Sequence, residues 1–479
     1  MSYNLKAPLH LCLDQGGHAS RALVFDAAGD VVVRAARAVD TDHPATDRVE
    51  QDPEAIVASL RQVAAEAVAA LGADAQAIVA AGLATQRSSI VCWDRISGEA
   101  LSPVISWQDR RAHAWLASFA PHAPEVEAIT GLRLSPHYGV SKLRWCLDNI
   151  GRVQAAARAG RLVAGPLASF LAFRLLEEHP CVADPANAQR MLLANVARAD
   201  WDDSLLVLFG VARATLPICV ATRHEFGGLR VGARVLPFTI LTGDQAAALF
   251  TFGAPRSDTL YANLGTGAFV QRVMREPARA PGLLTSVALT DADQVVYTLE
   301  GTVNGAGAAL TWIARELGLA ALEKRLPEWL ERTDEPPLFL NGVGGLGAPY
   351  WLPNFASRFS GDGEPWQRAV AVAESIVFLL LVNIERMQAI GTAADALIVS
   401  GGVTAYDGMC QRLADVSGLT AWRPLEHEAT ARGLAWLLAG KPSGWSAVVG
   451  QRFEPAPNAA LKARYVRWRA AMEQAIAPR

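Results

Sequence analysis

The pattern of hydrophobic and polar positions along the chain changes between strand-like and helix-like spacing. The predicted strands of the first half are residues 9–13, 22–26, 31–39 and 78–84. Residues 53–71 carry apolar side chains at helical spacing behind Pro53, which predicts a long helix. The run 78–84 is apolar throughout, as in strands buried on both faces. Strands followed by a long amphipathic helix predict an α/β domain.

A related pattern returns in the second half. Residues 259–274 read as strand, small-residue turn and strand, as at the start of the chain. The remaining predicted elements are helices at 305–317 and 368–390, and a strand, glycine pair and helix within 395–418. The repetition predicts duplicated domains that face one another across a cleft. We place the boundary within 240–256 and divide the chain into residues 1–242 and 243–479.

Composition narrows the class of protein. A chain of 479 residues exceeds one ordinary core, and 51% hydrophobic with 19% charged residues is typical of globular proteins. The formal charge of -3 gives no electrostatic reason to expect nucleic acid or an acidic membrane as partner. Six cysteines lack zinc-finger or CxxC spacing, and the longest apolar run, 376–384, is too short for a membrane span. We therefore expect a reduced, cytoplasmic protein.

Three glycine-containing turns follow apolar strands: "DQGG", "NLGTGA" and "VSGGVT". Glycines leave backbone N–H groups open, and turns of such groups bind phosphate oxygens. One such turn is more often a plain hairpin, but three together predict a phosphate or nucleotide site. None fits the P-loop or Rossmann patterns.

Two further stretches carry candidate chemistry. Asp244 follows a Thr-Gly turn in "TGDQAAALF", where it is either a helix N-cap or a base that accepts a hydroxyl proton. Arg87 and Trp107 lie in a stretch that also carries Asp109 and two arginines. Such side chains bind sugar hydroxyls and C–H faces, or they belong to the core and the surface; the residues alone leave both interpretations open.

Taken together, these stretches resemble the FGGY carbohydrate kinases, and among them the glycerol kinases most closely. The similarity covers nearly the whole chain in order. It includes the segments "DQGGHASRALVFD", "VEQDP", "GLATQRSSIVCWDRISGEALSPVISWQDRR", "TGLRLSPHYGVSKLRWCLDN", "DPANAQRMLLAN", "GDQAAALF", "NLGTGAF", "YTLEGTVNGAGAALTW", "GGLGAPYW" and "VSGGVTAYDGM".

The resemblance implies an α/β fold of two actin-like (ribonuclease-H-type) domains flanking a central cleft, which closes over ATP, Mg²⁺ and a sugar or polyol. It implies Asp244 as general base and Asp14 at the metal site, through water. The acceptor-binding residues it implies are Arg87, Ser88, Trp107, His137, Gln245 and Phe269. The nucleotide-binding residues it implies are Gly16, Gly17, His18, Arg21, Gly265, Thr266, Gly307, Thr311, Gly401, Gly402 and Tyr406. Family members form dimers and tetramers, so a homo-oligomer is expected.

The chain departs from the family pattern at both phosphate-binding and base-binding positions. Gly17 and His18 stand where two Thr are expected, and Ala19 where a Ser is usual. The hydroxyls that bond terminal phosphates are therefore missing, and His18 either substitutes as a donor or points to solvent. Ser400 replaces an Asp, and Tyr406 replaces an Asn that meets adenine. Tyr406 either stacks on the base or fills its site.

The acceptor pocket is altered as well. Ser88 stands where glycerol kinases have a Glu that grips glycerol, and His137 stands at the position of a substrate-binding Tyr. We therefore expect an ATP-dependent kinase of a sugar or polyol, with a four- or five-carbon polyol or ketose preferred over glycerol. Two alternatives stay open: a catalytically weak or inactive sensor that binds sugar or nucleotide, and a kinase that uses a donor other than ATP.

Overall fold

The computed structural model describes residues 8–292, 294–332, 335–426 and 428–477. The strands of its first half are β1 Leu9–Gln15, β2 Ala19–Phe25, β3 Val31–Ala38, β4 Asp42–Ala45, β5 Arg48–Gln51, β6 Ile78–Thr85, β7 Ile90–Asp94, β8 Val104–Ile105, β9 Leu162–Pro166, β10 Val182–Ala183, β11 Ala194–Asn195, β12 Asp200–Trp201, β13 Ile218–Cys219, β14 Arg223–Val231 and β15 Arg234–Gly243. The helices there are α1 Pro53–Leu71, α2 His113–Ala117, α3 Ala123–Thr130, α4 Gly139–Asn149, α5 Gly151–Arg158, α6 Leu167–Leu175, α7 Pro185–Ala188 and α8 Asp203–Phe209.

The second half continues the numbering. Its strands are β16 Thr259–Leu264, β17 Ala268–Met274, β18 Leu284–Asp291, β19 Gln294–Val303, β20 Leu338–Leu340, β21 Arg358–Ser360, β22 Ala396–Ser400, β23 Thr420–Pro424 and β24 Gly450–Phe453. Its helices are α9 Asp244–Ala248, α10 Gly307–Glu316, α11 Leu322–Glu331, α12 Pro365–Gln388, α13 Asp407–Ser417, α14 Ala429–Leu438 and α15 Ala459–Ile476.

The two large sheets share one topology. The first runs β3-β2-β1-β6-β15-β14, and the second contains β19-β17-β16-β22-β23-β24 with β18 added beyond β19. In both, three antiparallel strands are followed by two parallel ones and an antiparallel edge strand. The predicted duplication of an actin-like α/β domain is confirmed. A smaller sheet, β4-β5-β8-β7-β9, is attached to the first half.

Helix α1 illustrates how the local sequence sets an element. Asp52 caps it by accepting from the Glu54 N–H at 2.8 Å, Pro53 occupies its first turn, and Gly72 ends it at a φ of 55°. Among the described residues, the stretch Pro53–Ala77 alone is long and apolar enough to cross a membrane by length and composition. Its apolar face packs on β2 and β3, as in a core helix.

The proposed division between residues 242 and 243 falls at the end of β15. Helix α14 comes late in the chain but packs on α9, β1 and β6, and therefore covers the first sheet. An apolar cluster forms there, which includes Cys12, Phe25, Phe250, Leu434 and Trp436. The two halves are thus joined by buried packing as well as by the chain.

Candidate functional site

Asp244 lies where β15 ends and α9 begins. Its Oδ1 accepts a hydrogen bond of 2.7 Å from the Gln245 N–H and lies 3.9 Å from the Arg87 Nε. A Cβ on Gly243 would come within 2.5 Å of the Arg87 side chain, so only glycine leaves room for this arginine to pack against the backbone here. Arg87 Nη2 also donates to the Gln245 side chain. Burial raises the pKa of Asp244, and the charge of Arg87 opposes that rise.

A second carboxylate reaches the same place from the second sheet. Glu300 on β19 lies 3.8 Å from Arg87 Nη1, and both of its oxygens accept from Arg190 Nη2 at 2.9 Å. Neither Glu300 nor Arg190 is among the site residues predicted from the sequence. The available signal was a single charge within an apolar run, "VVYTLEG" for the glutamate and "RMLL" for the arginine.

The altered acceptor residues form one group beside this cluster. The Lys142 Nζ donates to the backbone oxygens of Ser88, at 2.7 Å, and His137, at 2.6 Å. The Trp107 ring meets the His137 ring edge-on, with centroids 5.8 Å apart. Burial, and then the charge of Lys142, hold the pKa of His137 well below its ordinary value, so the imidazole is neutral.

Ser88 has two further features. Its φ is 64°, in the left-handed region that serine seldom adopts, and its buried Oγ has no hydrogen-bond partner among the described residues. Buried polar side chains normally have a hydrogen-bond partner, so this hydroxyl is a candidate contact for a ligand. Phe269 on β17 lies opposite Thr302 on β19. Gln271, two positions along β17, lies opposite Glu300, so Phe269 and Glu300 share a face of the second sheet.

A cavity of about 810 Å³ opens on the second half of the molecule. Six of the residues implied as nucleotide-binding line it: Gly265, Thr266, Gly307, Thr311, Gly402 and Tyr406. Trp312, Arg315, Leu322 and Glu323 also line it. Gly401 adjoins this wall and has a φ of 93°; a Cβ there would lie 2.6 Å from the Leu264 oxygen. These predicted residues therefore line one cavity, and they come from the β16–β17 turn, α10 and the residues after β22.

Gly16, Gly17 and His18 form the β1–β2 turn and Arg21 follows on β2; none of the four lines that cavity. The Gly16 N–H donates to the Ala19 oxygen at 2.9 Å, which closes the turn, and the His18 side chain is exposed. The Gly17 oxygen accepts from the Gln51 Nε2 at 2.9 Å. Neither glycine has a positive φ, so the turn does not itself require them.

Asp14, at the end of β1, is buried and faces an excess of negative charge. Burial, and then the charges of Asp244 and Glu428, raise its pKa to about 7 against the opposing Arg21, which lies 3.8 Å away. A cation would relieve this excess. The described residues hold no group of three or more side chains suited to bind a metal ion. Asp14 supplies one carboxylate, and Mg²⁺ carried by a nucleotide needs only one or two carboxylates beside the phosphates and water.

Comparisons with known proteins agree on one family. The model of the N-terminal domain of the FGGY family of carbohydrate kinases matches residues 9–251, and that of its C-terminal domain matches residues 260–440. A protein named glycerol kinase 1 from Pseudomonas aeruginosa is 34% identical over 91% of this chain and 90% of its own length.

Two solved structures share the fold. The crystal structure of the Plasmodium falciparum glycerol kinase with ADP has a TM-score of 0.89 at 22% identity and covers 99% of each chain. A xylulose kinase from Rhodospirillum rubrum has a TM-score of 0.87 at 19% identity and covers 97% of this chain and 98% of its own. The match extends over both sheets, and therefore over the cleft between them.

Proposed function

The chain belongs to the FGGY family of carbohydrate kinases, and we propose that it transfers the γ-phosphoryl group of ATP to a hydroxyl of a neutral four- or five-carbon polyol or ketose. The observation that carries the proposal is the group formed by Asp244, Arg87 and Gln245 at the junction of the two halves. The wide cavity beside the β16–β17 turn provides room for the nucleotide.

The proposed reaction needs one base and good positioning. The acceptor oxygen bonds to the γ-phosphorus, the bond from that phosphorus to the bridging oxygen breaks, and ADP leaves. Asp244 takes the proton of the attacking hydroxyl, while Arg87 and Gln245 orient the acceptor. Mg²⁺, held near Asp14 with the nucleotide, would offset negative charge on the phosphates. Backbone N–H groups of the β16–β17 turn would bind phosphate oxygens.

The charge balance of the pocket favours a neutral acceptor. Arg87 and Arg190 are matched by Asp244 and Glu300, so these four side chains add no net positive charge for a sugar-acid carboxylate, and the Lys142 Nζ already donates to two backbone oxygens. A hydroxyl-rich chain instead meets donors and acceptors on the Ser88 Oγ, the His137 ring and the Gln245 amide.

The size of the acceptor follows from Ser88. Serine is shorter than the glutamate that the resemblance implies at this position, and its unpartnered Oγ suits a further hydroxyl of a longer chain. Glycerol is the second candidate, because relatives at 33–34% identity are named glycerol kinase. The same relatives are named as kinases, which does not favour the non-catalytic sensor.

The test measures ADP release from Mg-ATP with glycerol, erythritol, threitol, the pentitols, xylulose and ribulose, in the wild type and in Asp244→Asn. We expect the largest kcat/KM for a four- or five-carbon acceptor. The variant should lose about 10³-fold in kcat, because a positioned general base contributes about 10²- to 10⁴-fold.

Asp258→Asn is the matched control, since Asp258 is a surface carboxylate paired with Arg256. It should keep the wild-type rate. A wild type that releases no ADP with any acceptor, or an Asp244→Asn variant that retains its rate, would contradict the proposal. A preference for glycerol would leave the kinase in place and overturn the argument from Ser88.

A further inference from the structure

Glu300 belongs to the second half of the molecule, but its carboxylate contacts side chains of the first half. It sits on β19 in the second sheet and is 4% exposed, yet both of its close charged partners belong to the first half. Arg190, in the short helical turn after α7, donates to both carboxylate oxygens at 2.9 Å. Arg87, which follows β6, lies 3.8 Å away. Arg87, Asp244 and Gln245 form what we call the acceptor cluster. The Glu300 carboxylate contacts this cluster from the second sheet.

Arg87 lies between two carboxylates at nearly equal distances. Its Nη1 is 3.8 Å from Glu300, and its Nε is 3.9 Å from Asp244. Neither distance is that of a close hydrogen bond, which is about 2.9 Å. A guanidinium has five donors, and among the described residues only the Gln245 side chain accepts a hydrogen bond from Arg87. Glu300 and Asp244 attract the Arg87 guanidinium from two sides, and neither forms a close ion pair with it.

Buried pairs of this kind also occur for purely structural reasons, and this chain contains one. Glu374 on α12 is 2% exposed and pairs with Arg464, at 2.6 Å, and with Arg412, at 3.3 Å. Those partners lie on α15 and α13, within the second half of the molecule. Glu374 thus has the same chemistry as Glu300 and no contact with the acceptor cluster.

We propose that Glu300 is a positioning residue for phosphoryl transfer: its carboxylate holds the Arg87 guanidinium off Asp244, which leaves Arg87 free to bind the acceptor and Asp244 free to take the proton. The inference rests on the proposed function and adds to it a residue of the second sheet. Without this charge, Arg87 has one carboxylate left, and the two would close into a direct ion pair.

The kinetic test compares Glu300→Gln with Glu374→Gln. Both remove one buried charge beside two arginines, so both should lower the melting temperature. Glu300→Gln should also raise the KM for the best acceptor about tenfold or more and lower kcat at least tenfold. The KM for ATP should stay within about twofold, because Glu300 does not line the nucleotide cavity. Glu374→Gln should leave all three constants unchanged.

Glu300→Asp keeps the charge and tests whether the charge itself is what matters. It should return kcat to within about threefold of the wild type, with a small rise in acceptor KM. This variant also decides the matter if Glu300→Gln fails to fold: a kcat lowered more than tenfold despite the retained charge would then overturn the proposal. A Glu300→Gln enzyme with only the stability loss of Glu374→Gln would overturn it too.

A crystal structure of Glu300→Gln without ligands provides a readout that does not depend on turnover. We expect the Arg87 Nε to come within hydrogen-bond distance of Asp244 Oδ1, about 2.9 Å. If the wild type releases no ADP with any acceptor, the proposed function fails, and this distance still decides the role of Glu300. Arg87 left at its wild-type position would contradict it.

Discussion

Each half of the molecule has a turn between two antiparallel strands that we propose as a phosphate site. The two turns have different side chains and different packing. In the first, residues 16–18 join β1 to β2; in the second, residues 265–267 join β16 to β17. The sheets around them have the same strand order and directions. The difference between the turns therefore reflects side chains and packing, because the fold is the same.

The first turn has space around it. Among the described residues, a Cβ on Gly17 would meet only the Trp107 Nε1, at 4.0 Å, and one on Gly16 only the Ala19 oxygen, at 3.6 Å. The Gly17 oxygen is held by Gln51, and the His18 ring is exposed. No contact within the described part of the chain requires this turn to lack hydroxyl side chains.

The second turn is packed tightly against the start of α10. The Gly307 N–H donates to the Gly265 oxygen at 2.9 Å, and the Thr266 oxygen accepts from the N–H groups of Ala306 and Ala308. A Cβ on Gly307 would lie 2.8 Å from the Gly265 oxygen. Thr266 provides a hydroxyl in this turn, and the close packing against α10 leaves no space for its backbone to move. We infer that the second turn is the main phosphate-binding element and that the first tolerates substitution.

The largest effect is expected when one methyl group is added beside the second turn and, as a comparison, to the first. Gly307→Ala forces the β16–β17 turn away from α10, and overpacking of this kind costs about 1–3 kcal/mol. Because the same backbone lines the nucleotide cavity, we expect the KM for ATP to rise at least tenfold, together with a lower melting temperature. Gly17→Ala is the matched control and should change both quantities little. Equal effects of the two variants would remove the contrast.

A narrower effect is expected from Thr266→Val, which keeps the shape of the side chain and removes only its hydroxyl, so the KM for ATP should change while the melting temperature stays the same. Thr266 is exposed at the mouth of the cavity, where its Oγ is free to bond a phosphate. A hydrogen bond to a charged group contributes about 1.5–3 kcal/mol, so the KM for ATP should rise about tenfold or more. Isothermal titration with Mg-ADP and the non-hydrolysable ATP analogue shows whether the γ-phosphate carries the loss. An unchanged KM would mean that the backbone alone binds the nucleotide here.

The sequence predicted the framework better than the contacts within the site. Apolar periodicity predicted helix 53–71 with its observed bounds, and the small-residue turn within 259–274 was found between β16 and β17. These elements depend on local spacing and capping, which a sequence displays directly. The pairing of Glu300 with Arg87 and Arg190 joins residues far apart in sequence, so no local pattern reveals it. The proposed roles of the site residues stay predictions.

The smallest expected effect is a gain, and it tests whether the first turn has lost something that the fold would still accept. Gly17→Thr restores one hydroxyl at a position with free space and no positive φ, so the β1–β2 turn should keep its backbone. One added hydrogen bond to a phosphate oxygen should lower the KM for ATP about three- to tenfold. Gly17→Val has the same bulk without the hydroxyl and should give no gain. If valine and threonine act alike, the change is one of loop rigidity. If neither lowers the KM, the phosphates lie beyond the reach of residue 17, and nucleotide binding depends on the second turn alone.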